Sequence, residues 1–292
     1  MGECGGLWGA DGRRVGMTAR NGRVSVGAAA AAATRAAYRQ LRRRPPVEAR
    51  MWQRTNYAGR GVELYGGLAA AAGAATALAT ARGLSVRARA AAVGAALAAG
   101  ACGAYDDQKG SPDERGFRMH LGALREGRLT SGGVKLLGIG AAGLAAGVLL
   151  KARPLDQLLA GVVIAGTAHA VNLVDVAPGR AAKAVITVGA PGLLRAGTGG
   201  VLAAAPVGAA AAVLGDDLSE RTMLGDAGAH ALGAALGAAI AAANGRIGLL
   251  LHAAALVALT GAGDRISTDQ RLWNAPGVRH VDAWGRVAHP YG

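Results

Sequence analysis

Gly103-Ala104-Tyr105-Asp106-Asp107 closes an apolar run over about residues 86–105, and a basic, polar interval follows at once. A run of this length covers a bilayer as one helix, since about 20 apolar residues suffice. Carboxylates are costly in hydrocarbon, so an acidic pair at the mouth of such a run marks a site or a solvated helix end. Working outward, further runs of spanning length lie at about 24–41, 64–82, 133–151, 155–174, 182–196, 199–215, 227–244 and 246–262. Charge is confined to the short intervals between them, whereas a soluble helical protein would carry it along every helix. The reading is an all-α, polytopic integral membrane helix bundle with about 8–10 transmembrane helices.

The 292 residues divide into a Gly- and Arg-rich extension at 1–22, expected to be disordered, a membrane domain at 23–262 and a polar tail at 263–292. The extension lacks the apolar core and cleavage site of a signal peptide. The spans are rich in Ala and Gly, which lets helices approach closely. Arg35 and Arg39 make the first span the weakest. With a net charge of +14 and no nucleic-acid module, the basic residues read as loops holding a cytoplasmic face rather than as a nucleic-acid surface. Cys4 and Cys102 suggest neither a disulfide framework nor a CxxC metal site.

If each run crosses once, 42–63, 106–132, 175–181, 216–226 and the tail share one side. With their edge residues Lys135 and Lys183 they hold 19 of the 32 Lys and Arg, against seven on the opposite side. Asp106, Asp107, Asp175, Asp216, Asp217 and Asp226 all fall on this richer side, although the basic residues alone assigned it.

Adjacent carboxylates repel, and so share a cation or raise one pKa. Mg2+ suits a few carboxylates together with substrate phosphate oxygens. Asn172 and Asp175 are three apart and would share one helix face; the plainer alternative leaves Asp175 in water at a helix end. Asp226 starts a span, where it would be an ordinary N-cap or would help hold phosphate. Asn56 precedes Gly66-Gly67, glycines that allow either a close ligand or close helices. In the long interval 106–132, Lys109 and His120 are candidate phosphate or proton partners, although a solvated loop residue is the commoner case.

Taken in order, these stretches resemble the polyprenyl-phosphate N-acetylhexosamine-1-phosphate transferases, glycosyltransferase family 4. Asn56…Gly66-Gly67 is similar to the family's first cytoplasmic-loop motif, and Gly103-Ala104-Tyr105-Asp106-Asp107 to its aspartate pair. Ala170-Val171-Asn172-Leu173-Val174-Asp175 is similar to its Asn-x-x-Asp motif, and Gly225-Asp226-Ala227-Gly228 to its Gly-Asp-x-Gly motif. The resemblance implies transfer of a sugar-1-phosphate from a UDP-sugar to polyprenyl phosphate, with Mg2+ and release of UMP, in cell-envelope synthesis. Asp106 and Asp107 would then be catalytic and Asp226 the metal ligand. Asn56, Gly66, Gly67, Lys109, His120, Asn172 and Asp175 would bind substrate. The enzyme would sit in the plasma membrane with its site facing the cytoplasm, and a homodimer is compatible with this. Pro178 stands where the family has a second Asp after Asn-x-x-Asp, and the His-rich motif near the C-terminus is missing. These departures motivate an alternative: a relative that binds polyprenyl phosphate or scaffolds envelope enzymes without turnover. A small-solute transporter ranks last, because the two halves show no repeat.

Overall fold

The computed structural model describes residues 11–46, 48–56, 59–109, 122, 126–127 and 130–287. Runs of Ala, Leu and Val form α1 (Asp11–Arg43), α2 (Tyr65–Thr80), α3 (Val86–Lys109), α4 (Ser131–Leu150), α5 (Pro154–Leu173), α6 (Arg180–Leu193), α7 (Thr198–Leu218), α8 (Gly225–Ala243) and α9 (Arg246–Thr268). Two short helices, α10 (Gln270–Asn274) and α11 (Pro276–Ala283), follow. Of the described residues 80% are helical, as the hydropathy pattern demands.

Five of the described helices, α4, α5, α7, α8 and α9 as far as Gly263, are long and apolar enough to cross a membrane. This is fewer than the 8–10 expected, for identifiable reasons. α6 has 14 residues and α2 has 16, so at 1.5 Å per residue they reach only about 21 and 24 Å. α1 carries arginines along its length, and α3 opens on Val86-Arg87-Ala88-Arg89 and ends on Asp106-Asp107-Gln108-Lys109.

Three other expectations change. Helix α1 begins at Asp11, within the stretch read as disordered; residues 1–10 lie outside the described residues. The polar loop after α1 contains a 3-10 turn (Ala49–Trp52) and an antiparallel hairpin of β1 (Gln53–Thr55) with β2 (Gly61–Glu63). The polar tail folds back onto α6: Arg180 forms two hydrogen bonds to Asp282 at 2.7 and 2.8 Å and lies 3.5 Å over the Trp273 ring.

α8 forms the middle of the bundle and packs on α3, α5 and α7; all but a few of its residues are buried. Small residues set the spacing. A Cβ on Gly233 would lie 2.6 Å from Ala168 Cα of α5, and one on Gly103 would lie 2.2 Å from the Asp226 carbonyl oxygen. With no hydrophobic force between helices in lipid, such close backbone contact is what binds them.

Helix ends segregate by composition. At one end Lys151 reaches the Asn244 carbonyl, Arg246 pairs with Asp156, and Arg23 reaches the Arg195 carbonyl. At the other, Arg42 pairs with Glu63, Lys135 pairs with Asp106 and Asp226, and Arg35 of α1 reaches Asp216 of α7. Arg35, one of the two arginines that weakened the first span, is therefore an ion partner of a buried carboxylate, which Arg221 also pairs.

Candidate functional site

The close approach at Gly103 brings the last turns of α3 against the first turn of α8. A helix N-terminus leaves backbone N–H groups without intrahelical partners. At α8 these are met from outside the helix: Asp107 accepts from the Asp226 N–H at 3.1 Å through Oδ1 and from the Ala227 N–H at 2.9 Å through Oδ2. Leu224, the residue in the N-cap position, contributes no side-chain bond, and Asp226 is not the cap. Asp107 takes that role, using the carboxylate at a dipole end that favours negative charge. Gly225 permits the junction: its φ is +59°, and a Cβ there would lie 2.8 Å from Leu64 Cδ2 and 3.2 Å from Asp107 Oδ1.

Asp106, one residue earlier, points elsewhere. Its Oδ2 accepts from Lys135 Nζ at 2.6 Å, and the same ammonium donates to Asp226 Oδ2 at 2.5 Å. Lys135 lies in the first turns of α4, whose N-terminus is capped by Thr130 Oγ1 accepting from the Gly133 N–H at 3.0 Å. The result is two carboxylates bridged by one ammonium, with a third carboxylate beside them on the helix terminus. His230 is buried one turn into α8, its Nδ1 2.7 Å from the Asp226 carbonyl oxygen.

Alongside lies a cavity of about 260 Å³, lined by Asn56, Asp175, Pro178, Asp217, Glu220 and Thr222 among others. Asp175 is past the end of α5, in a turn closed by its N–H on the Asn172 carbonyl at 3.0 Å. Burial, and after it the Asp217, Asp226 and Asp107 carboxylates, push the Asp175 pKa well above the usual carboxylate value. Glu220 is held on a left-handed backbone at φ +56° and accepts from Asn56 Nδ2 at 2.7 Å.

The structure gathers Asp106, Asp107, Asp226, Asp175 and Asn56 at one end, but not every expected residue serves as expected. Gly66 and Gly67 are packing positions. A Cβ on Gly67 would lie 1.8 Å from the Leu224 carbonyl oxygen, and Gly66 N–H donates to Thr222 Oγ1 at 2.8 Å, so helix contact leaves no space for a ligand. Asn172 and Asp175 do not share a helix face, because α5 ends between them, and only Asp175 lines the cavity. Lys109 is exposed at the last residue of α3, and Lys135 bridges the aspartates in its place. His120 lies outside the described residues. Sequence reading missed Lys135 and Glu220 as site residues and carried Asp217 only as one of the acids on the shared side. A signal for Lys135 was available: a lone cation just inside an apolar run on the acidic side.

Mg2+ does not fit this arrangement. The space between Asp106 and Asp226 holds an ammonium, Asp107 is turned onto backbone N–H groups, and among the described residues no group of three or more His, Cys, Asp or Glu is placed to hold a metal ion.

A scan against models of known protein families finds no match to this chain, and no curated protein matches it significantly.

Proposed function

We propose that the chain transfers a sugar-1-phosphate from a nucleoside diphosphate sugar to polyprenyl phosphate. The observation that carries the reading is the meeting of Asp106, Asp107, Lys135 and Asp226 at one end of a membrane helix bundle, with a cavity lined by Asn56, Asp175 and Asp217 beside them. A lipid phosphate presents its head group at that level, and a soluble nucleotide sugar can reach the same end. In the reaction an acceptor phosphate oxygen bonds to the phosphorus that carries the sugar, and the bond from that phosphorus to the nucleoside monophosphate breaks. Lys135 has three donors. Two are committed to Asp106 and Asp226, and the third can bind a phosphate oxygen. Asp106 stands ready to take a proton from the acceptor, while Asp107 fixes α8, and Asp226 with it, against α3. The bias of Lys and Arg toward this end supports a plasma-membrane protein with the site on the cytoplasmic side.

The resemblance implies uridine as the base. The test therefore supplies UDP-, GDP-, CDP- and ADP-sugars with polyprenyl phosphate to the purified protein and measures nucleoside monophosphate release. Release with one of them, abolished in Asp226→Ala, is expected. Turnover undiminished in Asp226→Ala would sink the proposal.

A second reading is favoured by Lys135, which already fills the place between the carboxylates, and by Pro178 in the cavity wall. In it the protein binds polyprenyl phosphate without turnover. Saturable binding of that lipid with no nucleotide released from any donor would select it.

A further inference from the structure

The C-terminal segment, residues 270–287, is fastened to α6 by polar groups on its inner side. Asp282 accepts from Arg180 at 2.7 and 2.8 Å and from Arg286 at 2.5 Å. Lys183 donates to the carbonyls of Val281, Asp282 and Trp284 at 2.6–2.9 Å. Arg286 also donates to the Pro178 carbonyl at 2.9 Å, which ties the segment to the end of the bundle that holds Lys135. The outer side has a different character. Val281 and Trp284 are 61% and 68% exposed, and Leu272 and Val287 are exposed as well. Arg271 and Arg279 stand exposed among them, and among the described residues neither guanidinium has an acidic partner. The one acid within 270–287 is Asp282, already paired; Asp269, just before it, caps α10 by accepting from the Arg271 N–H at 2.9 Å.

The level at which the segment lies decides what covers that outer side. Between it and α6 runs a groove of about 390 Å³, walled by Val174, Val188, Trp273, Val278 and Val281. Val188 is eight residues beyond Arg180 in α6, about 12 Å along the helix axis. The polar layer on each side of the hydrocarbon is only about 6 Å thick. A segment that walls a groove as deep as Val188 therefore lies within the membrane boundary rather than in the water above it. Tryptophan gathers at that level, where its ring meets hydrocarbon and its N–H stays wet. Arginine suits it too, laying its stem on apolar surface while its charged head reaches phosphate. A soluble protein would have to enter the lipid to fill the same groove.

We propose that residues 270–287 form an interfacial strap that rests in the headgroup layer of an anionic leaflet, with Arg271 and Arg279 on lipid head groups and Val281 and Trp284 against the first carbons of the chains. The charge is complementary: anionic lipids attract basic segments beside membrane helices, and this is the end of the bundle toward which Lys and Arg are biased. The strap stands whether or not the chain transfers a sugar-phosphate, because it uses none of the groups at the Lys135 bridge.

The experiment places the full-length protein in nanodiscs of phosphatidylcholine alone and of equal parts phosphatidylcholine and phosphatidylglycerol. Each arginine near an anionic surface shifts occupancy about fivefold, so the hydrogen-exchange protection of residues 270–287 should be about 25-fold higher in the anionic discs. That gain should be largely lost in the double variant Arg271→Gln/Arg279→Gln. Depth is read separately, with lipids brominated near the top of the chain. They should quench Trp284, seen as quenching that is greater in wild type than in Trp284→Phe. Equal protection in the two discs, or quenching undiminished in Trp284→Phe, overturns the proposal and leaves the outer side to water or to a soluble partner. The comparison of the two lipids in wild type needs no variant, so it decides the charge half even if a substitution disturbs folding.

Discussion

Replacing Lys135 with Ala tests the centre of the site directly. The ammonium is bonded to Asp106 at 2.6 Å and to Asp226 at 2.5 Å, and the three side chains are 18%, 18% and 26% exposed. At an effective dielectric of about 20, each contact is worth roughly 6 kcal/mol of attraction. Desolvation offsets most of it, by several kcal/mol per ion. The net value of the bridge is therefore small compared with the cost of half-removing it. Lys135→Ala leaves two carboxylates facing each other without a cation, and breaking a buried pair in this way costs about 3–5 kcal/mol. Partial exposure places the expectation at the lower end, about 3 kcal/mol. In a chain of this size that lowers Tm by roughly 6–12 °C, measured by thermal melting in one detergent at pH 7.5. Millimolar Mg2+ should restore part of the loss in the variant and change the wild type little, because only the variant has room for a cation between Asp106 and Asp226. A fall below about 2 °C would show that Lys135 does not bridge the aspartates, and the argument for the site would fail with it.

Gly103→Ala drives a methyl to 2.2 Å from the Asp226 carbonyl oxygen, so α3 and α8 must separate. Overpacking costs about 1–3 kcal/mol, and loss of both melting temperature and nucleotide release is expected, whereas Gly94→Ala, with open space around it, should change neither. Asp175→Asn should stabilise the protein at neutral pH. Burial and neighbouring carboxylates raise the Asp175 pKa, so the folded state binds its proton more tightly than the unfolded chain does. Its contribution is favourable at low pH and is lost as pH rises above the ordinary carboxylate value, so the melting advantage of the variant should vanish near pH 4. Asp282 behaves oppositely. Burial works to raise its pKa, but the Arg180 and Arg286 bonds outweigh burial and hold it below the usual value. Its stabilisation is present above about pH 4 and is lost as pH falls further, so the hydrogen-exchange protection of residues 270–287, taken relative to the intrinsic rate at each pH, should fall at pH 3, and already at pH 7 in Asp282→Asn.

Much of the architecture follows from the sequence alone. Burial of apolar side chains is decided locally, run by run, so the order of helices and the sharing of one end by Asp106, Asp107, Asp175 and Asp226 could be read from hydropathy and charge. The number of helices fit to span a membrane could not, because hydropathy marks a run without fixing where its backbone hydrogen bonding stops, and α2 and α6 come to 16 and 14 residues. The site depended still more on tertiary structure. Lys135 finds its carboxylates 29 and 91 residues away, and no periodicity links them. Asp107 and Asp106 are neighbours in the chain with different partners, one on the α8 backbone and one on an ammonium, because Gly103 lets α3 touch α8 at that level. Gly66 and Gly67 could have faced a ligand or a helix, and the carbonyl of Leu224 settles it. Where a side chain is apolar its environment is written in its own segment; where it is charged, its role is set by whichever distant group the fold brings within about 3 Å.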